Sequence, residues 1–329
     1  MTFRDGVIGF IINPMEKQQR KHLAIAISLA SIVALLTGLS LLNPLLTPLH
    51  TGEDWMEKVP DDRPLSQLAI PGSHDSGARF SVGDLSGKCQ DSSIREQLLY
   101  GVRFFDIRLY NFNDALYVCH SFIDENLAFS DFVQQAIAFL EGYPKEGLLV
   151  SIKHEGKDSE ASKSFESLLQ AEIAKNSTYW SVGRDLPGTL GAIRGKMTLI
   201  SRYADNTIGL DAYGHDGNHW MSDVDGTGTF TLNHFRVQDH YKLADNDTKW
   251  SEIIASLSEA EKNSSNSLLY LNFFSGYLTK GFPPSYSMST AKFINSKVLS
   301  GALPKVRCGV LICDFVTPAL TEALWEGNL

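Results

Sequence analysis

Strand and helix signals alternate along this chain from about Trp55 to its C-terminus, and few folds accommodate that order. Leu68-Ala69-Ile70 reads as a short buried strand, ended by Pro71 and Gly72. Ser93-Ile94-Arg95-Glu96 is a capping box opening a helix that stops at Gly101, and Val102 to Leu109 follows as a strand. Ser130 caps a helix from Phe132 to Leu140, closed by Gly142 and Pro144. Further strands are expected at Leu148 to Lys153, Met197 to Tyr203, Phe235 to Tyr241, Leu268 to Phe274 and Val310 to Phe315. Helices are expected at Phe165 to Ala174, Trp250 to Ala260 and from Pro318. Such alternation over about 275 residues predicts an α/β fold, a single (β/α) barrel. An open doubly wound sheet is the alternative, although no Gly-rich phosphate loop follows the first strand.

The N-terminus has a different character. Lys17, Arg20 and Lys21 precede a run from Leu23 to Leu42 without a charged residue. A helix of that length would span a bilayer core, about 30 Å. The expected organisation is a cytoplasmic tail (1–22), a hydrophobic transmembrane helix (23–42), a stalk (43–54) and the barrel (55–329). The basic flank would stay cytoplasmic, leaving the barrel lumenal or outside. A cleaved signal peptide is the second reading, which would leave a secreted protein, and a buried soluble helix the third.

The formal charge of −9, with no Lys/Arg run beyond the N-terminus, argues against nucleic acid as a partner. Export is suggested by the sequons at Asn176, Asn246 and Asn263. Cys89, Cys119, Cys308 and Cys313 allow three pairings, of which Cys89 with Cys119 is preferred, or else four buried thiols.

A barrel places functional residues at the C-terminal ends of its strands. His74 and Asp75 follow the first strand, Asp106 and Arg108 end the second, and His120 follows Leu116-Tyr117-Val118. Lys153, Arg202, Asp239 with Tyr241, Asn272 and Asp314 end later ones. Each alone is as well explained by a cap or a salt bridge. Charged groups ending strand after strand are harder to explain so, because burying them without a ligand is costly.

In these segments the chain resembles the X domain of phosphatidylinositol-specific phospholipase C, in its bacterial, metal-independent form. The resemblance is carried by Pro71-Gly72-Ser73-His74-Asp75-Ser76, Gly101-Val102-Arg103-Phe104-Phe105-Asp106-Ile107-Arg108, Val118-Cys119-His120, Ser151-Ile152-Lys153, Gly195 to Tyr203, Val237 to Lys242, Leu269 to Phe273 and Cys313-Asp314-Phe315. It implies a distorted TIM barrel. It implies His74 as base for the inositol 2-hydroxyl, His120 as acid for the diacylglycerol oxygen, Asp314 orienting His74, Asp75 supporting His120, and Arg108 on the phosphate. Two histidines can supply base and acid near neutral pH. Lys153, Arg202 and Asp239 would bond the inositol hydroxyls, with Tyr241 against the ring.

Arg108 also bears on metal. Calcium-dependent relatives carry a second carboxylate at that place, whereas here the pair is Asp106-x-Arg108. A cation beside a would-be metal site repels the metal, so no catalytic metal and no cofactor is expected, and Asp106 is expected to pair with Arg108 or another basic residue. Bacterial relatives are secreted and soluble, so the N-terminal run and the sequons set this chain apart and suggest a secretory-pathway glycoprotein. The implied activity is phosphodiester cleavage of phosphatidylinositol or a GPI-like lipid at a membrane surface by a monomer, giving diacylglycerol and inositol 1,2-cyclic phosphate. A non-catalytic inositol-lipid or glycan-binding barrel and a metal-dependent glycerophosphodiesterase-like enzyme are the alternatives. Arg103 and His154 have no assigned role, and His215, Asp216 and His219 read as surface residues of a Gly-rich loop.

Overall fold

Alternation along each strand decides what faces the barrel axis. The structure, a computed structural model, describes residues 52–80, 87–214, 220, 228–263, 267–279, 287–305 and 308–329. In chain order the strands are β1 (Ala69–Ser73), β2 (Phe104–Phe112), β3 (Ala115–His120), β4 (Ile123–Ala128), β5 (Leu148–His154), β6 (Trp180–Ser181) and β7 (Met197–Arg202). They continue as β8 (Leu210–Asp211), β9 (Thr229–Leu232), β10 (Phe235–Gln238), β11 (Lys242–Leu243), β12 (Leu269–Phe273), β13 (Tyr277–Leu278) and β14 (Gly309–Cys313). The helices are α1 (Ile94–Tyr100), α2 (Phe129–Gly142), α3 (Phe165–Lys175), α4 (Asn246–Lys262), α5 (Ser287–Leu299) and α6 (Pro318–Trp325).

The sheet runs β6-β7-β5-β2-β1-β14-β12-β10-β9, parallel except for β9. It curls into a distorted barrel. Among the described residues no ladder joins β8 to β9, and a side chain bridges that seam instead: the Asn233 amide donates to the Asp211 carbonyl at 3.0 Å. The expected strands and helices are all present, with shifted ends. α2 begins at Phe129 behind Ala128, not behind Ser130, and β10 stops at Gln238. The capping box on α1 is formed as read, with Gly101 at a φ of 107° closing the helix.

Two buried layers follow from the period of two. Ile70, Phe104, Leu149, Val237, Leu271 and Ile312 fill the inside of the barrel. Their neighbours Ala69, Phe105, Val150 and Leu311 face outward, with helical residues such as Phe132 and Leu320 in the same cluster. Gly72 belongs to the inner set, where a Cβ would meet Ile312 and Phe104 side chains at 3.1 Å. Carried toward the C-terminal ends, the same parity turns His74, Asp106, Arg108, Lys153, Arg202 and Asp314 inward. The lower interior is therefore apolar and the upper interior ionic, by pattern alone.

Arg103, which the sequence left without a role, is structural. It is fully buried, and its guanidinium reaches Glu146 Oε2 at 2.7 Å and the carbonyls of Leu98, Val102, Gly52 and Glu53 at 2.8 to 2.9 Å. Those contacts occupy its fork of donors. Glu146 also accepts from the Glu57 amide at 3.0 Å. This ion pair fastens the residues before β1 to the base of the barrel.

The Leu23 to Leu42 segment lies outside the described residues, as do His215, Asp216 and His219. Among the described residues no helix is long and apolar enough to cross a membrane; the longest, α4, has 17 residues and a polar face. The expected bridge between Cys89 and Cys119 is also absent, since all four cysteines are free. The two thiols point to different places. Cys119 Sγ lies 3.5 Å from the Glu155 carbonyl and Cys89 Sγ lies 3.8 Å from that of Gly87.

Replacing Arg103 by Met should leave Glu146 buried and unpaired, at a cost of about 3–5 kcal/mol in unfolding free energy. Urea unfolding at neutral pH measures this; a loss under about 1 kcal/mol would contradict the structural role.

Candidate active site

Register sets three cations side by side. Arg108 stands opposite Lys153, and Lys153 opposite Arg202, on the adjacent parallel strands β2, β5 and β7. Like charges so placed repel unless matched. Asp106 matches two of them, its Oδ1 accepting from Arg202 at 2.9 Å and its Oδ2 from Arg108 at 3.1 Å. Glu155, just past β5, accepts from Lys153, from Arg108 at 3.3 Å and from the Ser121 amide at 2.8 Å. Burial pushes both carboxyls up, but the neighbouring cations outweigh it. Asp106 is held well below the usual carboxylate range and Glu155 at about 2.

A continuous chain of contacts runs through Arg108. Asp314 lies 2.7 Å from His74 Nδ1, and Arg108 donates to His74 Nε2 at 2.9 Å. A guanidinium has only donors, so Nε2 accepts, and the ring proton sits on Nδ1 facing Asp314. On its other side Arg108 lies 3.3 Å from Asp75 Oδ2, which is 3.5 Å from His120 Nε2. His120 Nδ1 donates to the Gly87 carbonyl at 2.5 Å, leaving Nε2 toward the site. Burial lowers the proton affinity of His74, but the Asp314 carboxylate outweighs it and raises the pKa above 6.5. Burial raises Asp75 in spite of Arg108.

Local structure holds these groups at strand ends. Asp75 has a φ of 41° and its amide donates to Asp106 Oδ2 at 3.1 Å; Ser76 exchanges backbone and side-chain bonds with Asp106 at 2.8 and 2.9 Å. Phe315, next to Asp314, has a φ of 49°, a conformation costly for a bulky side chain. Gln90 is buried and staples the two strand ends, donating to the carbonyls of His74 at 2.8 Å and Cys313 at 3.0 Å. His120 does not end a barrel strand. β3 runs antiparallel to β2, and this hairpin rises above the mouth and returns His120 to it.

The structure thus brings His74, Asp75, Arg108, His120 and Asp314 together, with Lys153 and Arg202 beside them. Arg202 also lies 3.7 Å over the Trp220 ring, and Trp220 Nε1 donates to Asp239 at 3.0 Å. Tyr241 packs near Tyr277, with ring centroids 6.0 Å apart. His154 stacks on Phe165 and bonds Asp158, away from this cluster. Sequence reasoning missed Glu155, Gln90 and Trp220. Only Glu155 carried a signal, a carboxylate two residues past Lys153 at a strand exit.

Among the described residues, His74, Cys89 and Asp314 form one set of potential metal ligands and Asp75, Cys89 and His120 another. Arg108 touches both sets, and burial pushes the Cys89 thiol well above its ordinary value. A hard divalent cation wants several oxygens and no adjoining guanidinium, so this donor set does not suit one.

Residues 62–202 match the family described as phosphatidylinositol-specific phospholipase C, X domain. The chain is 30% identical over 280 residues to the 1-phosphatidylinositol phosphodiesterase of Staphylococcus aureus (strain Newman), covering 80% of this chain and 88% of that protein. It is 28% identical over 291 residues to the Listeria monocytogenes protein of the same name, covering 84% and 86%. A solved structure of the S. aureus phosphatidylinositol-specific phospholipase C superposes with a TM-score of 0.72 at 26% identity, covering 83% of this chain and 96% of that one. With relatives that are bacterial enzymes, and no crossing helix among the described residues, the expectation of a single-pass membrane protein is corrected.

The His74–Asp314 pair makes a direct prediction. In a ¹⁵N NMR titration His74 should titrate above 6.5, and in Asp314→Asn it should titrate lower, because burial and Arg108 are then opposed only by the weaker pull of Asp106. An unchanged or higher midpoint in the variant would contradict the pairing.

Proposed function

Because the chain belongs to the phosphatidylinositol-specific phospholipase C family, we propose that it cleaves phosphatidylinositol at a membrane surface, giving diacylglycerol and inositol 1,2-cyclic phosphate. The observation that carries this reading is the chain Asp314–His74–Arg108–Asp75–His120, with two histidines on either side of one guanidinium.

In the first step His74 Nε2 takes the proton of the inositol 2-hydroxyl as that oxygen attacks phosphorus. The lone pair is available because the ring proton is held on Nδ1 by Asp314. The imidazolium that forms is stabilised by the same carboxylate, as in a hydrolase triad. Arg108, which contacts His74 in the free site, turns its planar fork to the phosphate oxygens as charge develops there. His120, protonated on Nε2, gives that proton to the departing diacylglycerol oxygen, with Asp75 behind it. The bond between phosphorus and the glycerol oxygen breaks as the ring to the 2-oxygen closes. No electrons change hands, and the two protons balance.

Lys153, Arg202 and Asp239 serve the inositol hydroxyls, and Tyr241 the ring face. Glu155 joins them, since its carboxylate already orders Lys153 and Arg108. Base, acid and phosphate cation all come from one chain, which suits a monomer. A solely binding role would not require two histidines that are each held through Nδ1 and turn Nε2 to the site.

The first phosphorus-containing product from phosphatidylinositol vesicles should be the cyclic phosphodiester by ³¹P NMR. Inositol 1-phosphate without a cyclic precursor, or phosphatidic acid, would overturn this reading. Acid and base separate with an inositol aryl phosphate, whose phenol leaves unprotonated. His120→Ala should lose about 10²–10⁴-fold on lipid yet recover much of its rate on the aryl substrate, whereas His74→Ala should be inactive on both. Equal behaviour of the two variants would overturn the role assignment.

A further inference from the structure

One buried titratable group has no part in the chemistry above. Lys249 is fully buried in the first turn of α4, behind the Asp245 cap. The position is unfavourable twice over. Burial penalises an ammonium, and a cation near a helix N-terminus meets the wrong end of the dipole. An apolar side chain of like size would avoid both costs.

What Lys249 touches gives the reason for its charge. Its Nζ donates to Gln238 Oε1 at 2.9 Å and to the His240 carbonyl at 2.6 Å. Those two residues flank Asp239. Gln238 Oε1 also accepts from the His240 amide at 2.9 Å, so Lys249 closes a small ring of bonds around Asp239. The Gln238 amide donates in turn to Asn272 Oδ1 and the Phe273 carbonyl, each at 2.8 Å, tying the ring to β12. Asp239 itself accepts from Trp220 Nε1, and Trp220 lies under Arg202.

We propose that Lys249 is a positioning residue for the head-group pocket, holding Asp239 toward the inositol from the helix behind it. The proposal rests on the reading above that Asp239 binds inositol hydroxyls. The groups facing Lys249 are Asp239 and His240 from the exit of β10, Glu252 from its own helix and Asp314 from the exit of β14. Burial outweighs those carboxylates and brings the ammonium down to about 8, so its charge is present below that pH and lost above it. Loss of charge weakens both bonds, because a charge-assisted hydrogen bond is about twice as strong as a neutral one. Asp239 would then be held less firmly, and substrate binding rather than turnover would suffer.

Steady-state kinetics on the soluble inositol aryl phosphate test this without an interface. Lys249→Met should raise KM about tenfold with kcat within about twofold. In the wild type KM should rise several-fold as pH passes through about 8, and Lys249→Arg, which stays charged, should keep KM low across that range. The wild-type pH series stands even if Lys249→Met fails to fold. A wild-type KM flat across pH 8, or a Lys249→Met defect confined to kcat, would overturn the proposal. Asp239→Asn separates it from the reading beneath it. If Asp239→Asn raises KM while the Lys249 variants do not, the Lys249 inference alone fails. If Asp239→Asn leaves KM unchanged, the head-group assignment fails and the inference falls with it.

Discussion

The upper half of the barrel depends on the placement of one guanidinium. Arg108 lies within 3.4 Å of Asp75, Asp106, Glu155 and His74 at once. It is the group through which the two histidine–carboxylate pairs communicate, and it neutralises carboxylates that could not otherwise share so small and dry a space. Without it, Asp106 would keep only Arg202, Glu155 only Lys153 and Asp75 only His120, and burial would push all three carboxyls up. With it, Asp106 stays ionised and can hold Arg202 as well. In the mechanism proposed above, the same cation takes the role that a divalent metal would play in stabilising a phosphate in transition.

The barrel sustains this ionic layer because its other parts are conservatively built. The lower interior is apolar, and the fully buried charged pair at the base, Arg103 with Glu146, has its hydrogen-bonding groups well satisfied. The site is where the local rules are broken. Asp75 and Phe315, the latter next to Asp314, take left-handed backbone conformations, and buried Asp75 oxygens lack hydrogen-bond partners among the described residues. Such strain persists only where surroundings over-determine it, and Gln90, Ser76 and Asp106 do so here through side-chain and backbone bonds that tie the strand ends together.

Much of this was legible in the sequence because the barrel translates a period of two into depth. Every second residue of a strand faces inward, so the polar residues that close Phe104–Arg108, Leu149–Lys153 and Val310–Asp314 had to arrive at one mouth. Three things were not legible, each for a physical reason. His120 looked like the end of a barrel strand, because a hairpin strand has the same local pattern as a parallel one and only tertiary pairing tells them apart. Glu155 and Gln90 act from loop positions, which have no period. The proximity of Cys89 and Cys119 to one site suggested a bridge, but side-chain direction decides pairing, and the two free thiols contact different carbonyls, those of Gly87 and Glu155.

The claim that Arg108 supplies the cation of the reaction is tested most directly by the metal dependence of turnover. Cleavage of the aryl substrate by the wild type should be unchanged by EDTA and by added calcium, while Arg108→Asp should lose about 10²-fold or more and regain part of it with calcium, since the substitution puts a second carboxylate beside Asp106. Wild-type activity abolished by the chelator and restored by calcium would contradict the account at its centre.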